Sequence, residues 1–325
     1  MYAEFYGLAT RPFQLTPDAR FFFESTVHRQ AMAYLIYGLH HAEGFIVITG
    51  EVGAGKTILV DNLLATIDAR SFVTAKIVTS QLGGHDLLHL VAAGFGIAAE
   101  GLAKGALLQR IGEFVVTQHN RGKRALLIVD EAQNLSVEAL EELRMLSNIV
   151  VGNTMVLQSF LLAQPQFRAI LGSPALEQLR QRITAAYHLR PLNEVDTRAY
   201  IEHRLRRAEW KGDPELTEAS FVLIHHHTAG VPRRINALCS RLLLYGFLEQ
   251  LHSLSEGDVE KVAGDMREEL AMVTVSPEAE ATDGTGAAAE IAARLDRLED
   301  KVERQARLVR RAIEITARHF LGVEP

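Results

Sequence analysis

The 325-residue sequence predicts an α/β protein: a five-stranded parallel sheet with flanking helices, followed by a small all-helical lid domain and a C-terminal linker plus helix. Two observations carry that expectation. Five short apolar runs, at 45–49, 72–78, 125–130, 155–162 and 185–190, alternate with helical stretches around 56–68, 84–96, 105–120 and 136–147. Most of these runs are continuously apolar, as in strands buried on both faces of a parallel sheet. After Pro191 the strand signal stops, and helical periodicity fills 195–208, 216–228, 232–250 and 255–268.

Taken in order, residues 1–44 open with an aromatic, turn-rich stretch, Phe5-Tyr6-Gly7-Leu8 through Pro12-Phe13 and Thr16-Pro17-Asp18. A helix follows from His28 to His41, with Ala31, Leu35 and Leu39 on one face. Residues 1–191 are expected to form one αβα domain that includes this N-terminal segment, and residues 192–270 the helical domain. Asp196, Thr217 and the Ser255-Glu256-Gly257-Asp258 turn mark helix starts in the second domain. Residues 271–289, rich in Ala, Glu, Thr, Gly and Pro without periodicity, read as a flexible linker. In 290–320, Ile291, Leu295, Leu298, Val302, Gln305, Val309 and Ala312 follow the 4-3-4-3 rhythm of a coiled-coil seam. Arg297, Arg304, Arg311 and Arg318 recur every seven residues, as a solvated face or as a site for an acidic partner or membrane surface.

Apolar residues make up 48% and charged residues 23% of the chain, which fits a globular protein. The formal net charge of −6 gives no global basic field for nucleic acid. Cys239 is the only cysteine, so no intramolecular disulfide forms and a reducing compartment is expected. The longest apolar runs are strand-length, and Met1-Tyr2-Ala3-Glu4-Phe5 has no basic region leading into an apolar core. A cytoplasmic protein, peripheral at the inner membrane at most, is the expectation.

The chemistry-bearing residues follow the first and third strands. Gly50-Glu51-Val52-Gly53-Ala54-Gly55-Lys56-Thr57, with Ile58 next, joins an apolar strand to a helix, the context of a P-loop. Glycines let backbone N–H groups turn inward around phosphates, and the helix N-terminus adds its positive end. Lys56 would reach the β- and γ-phosphates of ATP, and the Thr57 hydroxyl would ligate Mg²⁺. Ala125-Leu126-Leu127-Ile128-Val129 ends in Asp130-Glu131, two carboxylates on a buried strand. Buried charge needs a partner. Asp130 would hold Mg²⁺ through its water shell, and Glu131 would polarise the attacking water. The strand–helix unit at 72–120 is expected to place its strand between the two motif strands, as in the additional-strand P-loop ATPases, and the fold is therefore expected to be AAA+. No Asn-Lys-x-Asp guanine motif occurs, which favours adenine.

Gln164, at the tip of the strand beside Asp130, is the candidate sensor of the γ-phosphate or of the attacking water. Arg180 or Arg182, just before the last strand, would reach across a subunit interface as an arginine finger. Arg233, in Gly230-Val231-Pro232-Arg233-Arg234, would point from the helical domain at the γ-phosphate. His225-His226-His227 reads as solvated or half-buried side chains, since adjacent helical residues diverge and no ligand set completes a metal site.

These motifs, with Phe5-Tyr6-Gly7-Leu8…Pro12-Phe13-Gln14-Leu15-Thr16-Pro17-Asp18, Glu142-Leu143-Arg144-Met145-Leu146-Ser147-Asn148 and Tyr200-Ile201-Glu202-His203-Arg204-Leu205, resemble the general secretion pathway protein A (ExeA) family of AAA+ ATPases over about residues 1–268. The branch most resembled is the ATPase found with exosortase A (XrtA)/PEP-CTERM and exopolysaccharide loci. The resemblance implies an oligomeric, Mg·ATP-hydrolysing protein serving envelope export. It would be docked on membrane-associated export or polysaccharide-assembly proteins through residues 290–320. Two departures stand out: Ile58 replaces a second threonine, and the family's membrane span and peptidoglycan-binding domain have no match in residues 271–325. Two other readings stand beside this one: a DNA-associated AAA+ ATPase of the transposition-helper type, and a nucleotide-gated switch. The acidic balance weighs against nucleic acid as partner.

Overall fold

A computed structural model describes residues 2–274, apart from Leu15, Pro17, residues 42–43, Ala69 and residues 80–82. The expected coiled coil at 290–320, and the linker beyond Thr274, lie outside the described residues. Two compact units emerge. One comprises residues 16–200 with 229–234; the other comprises 1–15, 201–228 and the chain from 235.

The first unit is built on β1 (Phe45–Gly50), β2 (Phe72–Val78), β3 (Arg124–Asp130), β4 (Leu157–Ala163) and β5 (Ile183–Leu189). All four strand pairings are parallel, in the order β2-β3-β4-β1-β5. The central strands β1 and β4 are buried along their whole length, and β3 all but its first residue. The edge strands β2 and β5 alternate between buried and open positions. Period-2 geometry divides β1 between two cores. Phe45 and Val47 face α3 (Gly84–Gly94), α4 (Lys104–Asn120) and α5 (Val137–Leu146), whereas Ile46 and Ile48 face α1 (Thr26–His41) and α2 (Lys56–Thr66). Ala31, Leu35 and Leu39 bury the inner face of α1, as their spacing predicts.

One expectation is corrected by this order. The strand lying between β1 and β3 is β4, at 157–163, and not the 72–78 strand, which forms the sheet edge as β2. The additional-strand arrangement is present, but a later segment provides it. A two-strand hairpin, Val150–Val151 with Thr154–Met155, precedes β4, so the expected strand at 155–162 begins two residues later.

The second unit is mainly helical, with α7 (Glu218–Thr228), most of α8 (Pro232–Leu248), α9 (Glu256–Thr274) and the later part of α6 (Glu194–Arg207), but it is not all-helical as expected: Glu215–Leu216 and Ser253–Leu254 form a short parallel pair. Thr217 caps α7, its hydroxyl accepting a hydrogen bond from Ser220 N at 3.2 Å. At the start of α9 the Asp258 carboxylate reaches back to accept from Ser255 N at 2.8 Å. At α6 the capping side chain is Asn193, three residues before the expected Asp196. α9 runs to Thr274, past the expected start of the linker at 271.

The N-terminal segment is where the division departs most from the expected cut at 191/192. Residues 1–15 join the helical unit. Tyr6 is buried and its hydroxyl donates to Leu251 O at 3.0 Å, while Ala9 N donates to Ala208 O at 2.9 Å. Phe5 stacks on His252 at 4.9 Å and meets Phe247 edge-on. Arg204 Nε donates to Pro12 O at 2.5 Å. Aromatic rings of this size carry much of the burial available to a small helical unit.

Tyr6→Phe, which deletes only the hydroxyl, is expected to cost about 1 kcal/mol, and Tyr6→Ala about 3 kcal/mol or more, in urea unfolding followed by circular dichroism. Unchanged stability in Tyr6→Ala would contradict the placement of residues 1–15 in the helical unit.

Candidate functional site

Because the strands run in parallel, Gly50, Val78, Asp130, Ala163 and Leu189 end at one edge of the sheet. The 50–57 loop leaves β1 there and enters α2 at Lys56. Gly53 (φ 81°) and Gly55 (φ 98°) take left-handed backbone, which a side chain would strain. Space is closed as well. A Cβ on Gly53 would lie 2.3 Å from Arg233 Cβ, and one on Gly55 would lie 2.8 Å from His28 Nε2. Glu51 and Val52 are exposed, Ala54 is buried and Ile58 is half-buried in the first helical turn.

Lys56 is only 5% exposed, and its ammonium donates to Gly50 O (2.8 Å) and Glu51 O (3.0 Å). Burial holds its pKa below the usual value, while Glu131, Asp130 and Glu51 pull the other way. Thr57 Oγ1 donates to Asp130 Oδ2 at 2.6 Å, bringing together side chains 73 residues apart. Asp130 is buried, and its other oxygen accepts from Glu131 N at 2.9 Å. This pair of hard oxygen donors beside the loop suits Mg²⁺.

Glu131 itself adopts φ 56°, uncommon for a residue with a side chain. Thr79, on the residue after β2, holds this turn by donating its hydroxyl to the carbonyls of Asp130 (3.0 Å) and Glu131 (2.7 Å). Asn134 closes the other side, its Nδ2 donating to Thr79 O at 3.1 Å. The Glu131 carboxylate accepts from Gln133 Nε2 (2.5 Å) and Gln164 Nε2 (2.9 Å). Burial raises its pKa, but those two donors and the charge of Lys56 outweigh it, so the carboxyl titrates below its usual value. Gln133 Oε1 also accepts from Gln164 N at 3.0 Å, tying the tip of β4 to the end of β3.

The three arginines divide. Arg233 N donates to Gly53 O at 3.2 Å, and residues 229–234 group with the sheet unit, although the sequence assigns them to the 192–270 helical domain. Arg180 and Arg182 lie at the opposite edge of the sheet, where Phe45 N donates to Arg182 O at 2.9 Å. The length of β1 separates them from the loop by about 20 Å. Arg182 is half-buried, its guanidinium donating to Ser147 Oγ at 3.2 Å. Arg180 is exposed and donates to Leu171 O at 3.0 Å.

Residues absent from the sequence-based candidates also converge here. His28, 5% exposed, has Nδ1 2.7 Å from Ser25 Oγ. His188, on β5 opposite Thr49, has Nδ1 3.0 Å from Thr49 Oγ1, one residue before the loop. Burial lowers the His188 pKa, with Arg168, Arg190 and Lys56 adding to the effect and Glu51 opposing it. Neither histidine carries a local signal for its role, because neither contact follows a recognisable motif. Gln133 and Asn134 stand in plain view beside Asp130-Glu131. In the helical unit His227 pairs with Glu260 at 2.7 Å, and among the described residues no group of three or more His, Cys, Asp or Glu side chains is placed to hold a metal ion. Among those residues, too, no helix is long and apolar enough to cross a membrane.

Residues 39–171 match a family described as AAA domain. The chain is 36% identical over 264 residues to general secretion pathway protein A of Aeromonas hydrophila, covering 81% of this chain and 48% of that protein. It is 31% identical over 145 residues to Mu-like prophage FluMu DNA transposition protein B of Haemophilus influenzae, covering 43% of this chain and 48% of that protein. The chain thus spans about half the length of the curated relatives it matches. Among solved structures, the Aeropyrum pernix ORC1 protein in complex with DNA superposes with a TM-score of 0.58 at 15% identity, covering 81% of this chain and 71% of that one. The likeness is one of fold, the AAA+ P-loop NTPase fold that the sequence motifs predict.

Burial pushes the His28 pKa down to about 4, against a backbone hydrogen bond to Ala54 and the charge of Asp196. An unfolded histidine titrates near pH 6.5, so between about pH 6.5 and 4 the unfolded chain binds more protons. Stability from His28 is therefore fully present above about pH 6.5 and is lost as pH falls towards 4, by about 3 kcal/mol at most. Urea unfolding across that range should show a shallower pH dependence in His28→Gln than in the wild type; identical slopes would contradict burial of a neutral His28.

Proposed function

With an AAA+ P-loop NTPase fold as the premise, we propose that this chain binds Mg·ATP at residues 50–58 and hydrolyses it to ADP and phosphate. The observation that carries the reading is the convergence of Lys56, Thr57, Asp130 and Glu131 at one sheet edge, with Thr57 Oγ1 and Asp130 Oδ2 2.6 Å apart. On binding, the Lys56 ammonium exchanges the carbonyls of Gly50 and Glu51 for phosphate oxygens, and the first amides of α2 face the same anion. Thr57 and Asp130 would hold Mg²⁺, which would supply charge neutralisation to the phosphates. Glu131, kept ionised by Gln133, Gln164 and Lys56, orients the attacking water and accepts its proton. Gln164 links that carboxylate to the tip of β4 and acts as the phosphate sensor. Arg233, whose stem covers Gly53, completes the site over the loop.

Arg180 and Arg182 sit too far from the loop of their own chain to serve it, which supports a homo-oligomer in which the site is completed by a neighbouring subunit. Exposed Arg180 is the better finger, and Arg182, held by Ser147, positions the segment. Similarity to general secretion pathway protein A supports the process: an ATPase serving export across, or assembly of, a bacterial envelope. The narrower assignment, to exopolysaccharide or PEP-CTERM export through membrane-associated partners of residues 290–320, rests on the sequence resemblance. A DNA-associated role is the second reading, favoured by the likeness to the transposition protein and opposed by the net charge of −6. Filter binding to duplex DNA over a salt series separates them, since tight, steeply salt-dependent retention belongs only to the DNA reading.

Lys56→Ala is expected to abolish ATP binding by calorimetry, whereas Glu131→Gln should bind ATP normally and release phosphate about a hundredfold more slowly or worse. Normal turnover in Glu131→Gln would remove it from the base role. For the finger, Arg180→Ala subunits mixed with Lys56→Ala subunits should recover activity, because each supplies what the other lacks. No recovery, with oligomers intact, would exclude a role for Arg180 in trans.

A further inference from the structure

His28 lies beneath the phosphate-binding loop and takes no part in the chemistry above. It is buried, although a histidine in the first turn of an amphipathic helix would ordinarily reach solvent. Its imidazole is fixed on several sides. Ser25 Oγ is 2.7 Å from Nδ1 and also accepts from His28 N at 3.3 Å. Phe22 packs edge-to-face against the ring at 6.0 Å. Nε2 lies against the Ala54–Gly55 turn, where even a methyl group on Gly55 would be 2.8 Å away. The start of α1 is itself anchored, because Thr26 N donates to an Asp196 carboxylate oxygen at 3.3 Å. A side chain so constrained sets the position of whatever its open nitrogen touches. Here that is the backbone immediately before Lys56 and Thr57.

We propose that His28 is a positioning residue for the ATP phosphates: held by Ser25, its Nε2 braces the Ala54–Gly55 turn so that the loop amides and Lys56 converge on the anion. The proposal deepens the ATP-binding reading and rests on it. The glycine at 55 is thereby required twice, for its left-handed backbone and for the approach of the imidazole. The brace also joins the loop to the Ser25–His28 turn, so the N-terminal end of α1 takes part in nucleotide binding without touching the nucleotide.

The test measures Mg·ATP affinity by calorimetry in His28→Leu, His28→Gln and Ser25→Ala, with Lys56→Ala as reference. His28→Leu fills the space without a hydrogen bond and should weaken binding about tenfold or more while far-UV circular dichroism is unchanged. His28→Gln, which can place an amide near the Nε2 position, should recover most of that loss. Rescue by Gln but not by Leu is a signature that simple space-filling would not give. Ser25→Ala keeps the ring but frees it, and should weaken binding about threefold, which keeps the proposal testable if Leu prevents folding. Wild-type affinity in folded His28→Leu or Ser25→Ala, beside a Lys56→Ala that no longer binds, would overturn the brace and leave the P-loop reading standing. Equal loss in the Leu and Gln variants would assign His28 to packing alone and also overturn it. Normal ATP binding by Lys56→Ala would remove the P-loop reading, and the proposal with it.

Discussion

A lysine ammonium that is only 5% exposed sets the terms for the rest of the sheet unit. Burying a charge is costly unless partners surround it, and Lys56 has two backbone carbonyls in contact and the carboxylates of Glu131, Asp130 and Glu51 close enough to favour its charged form. The first two of those carboxylates arrive from a different strand, so β3 has to end beside the loop that leaves β1. The parallel register supplies this: β4 lies between the two and sets both ends at one edge, pairing Thr49 with Ala163 and Val129 with Leu161. Sheet order, strand length and the placement of Gln164 are consequences of holding one cation and its counter-charges in a small, half-dry space.

The same space explains the strained backbone at Glu131. A left-handed turn there costs of order 1–3 kcal/mol and persists only where neighbours over-determine it. Thr79, Asn134, Gln133 and Gln164 do so, from the ends of β2 and β4 and from the turn itself. The carboxylate that results is turned towards its amide donors and titrates below its usual value.

What the sequence made legible was local. The 50–57 loop and Asp130-Glu131 each stand out within a short stretch, because a loop proposed to cradle phosphate and carboxylates proposed to serve a metal would demand particular residue types at fixed spacing. The helical face of α1, the switch to helices after Pro191 and the position of Gln164 at a strand tip were equally readable from periodicity. Strand order was not, since apolar runs at 72–78 and 157–163 look alike and only packing decides which one lies inside. The brace from His28 to Gly55 and the pair His188–Thr49 were hidden for a related reason: each joins positions far apart in the chain, and a lone histidine carries no sign of its partner. The grouping of Arg233 with the sheet unit was invisible as well, because helical periodicity runs unbroken through Pro232–Leu248.

The contact between Tyr6 and Leu251 spans 245 positions of sequence. During synthesis Phe5, Tyr6 and Phe13 leave the ribosome long before the rest of their unit exists. Residues 16–200 have nearly all their sheet partners as soon as β5 is made, so the nucleotide-binding unit is free to form while the helical unit waits for its later segments. Through that interval the three rings are an apolar, aromatic stretch without a home, the kind of exposed surface that aggregates or recruits a chaperone. The helical unit is thus completed only when two segments made far apart in time meet, and a tag placed beside Tyr6 would be carried into that late step.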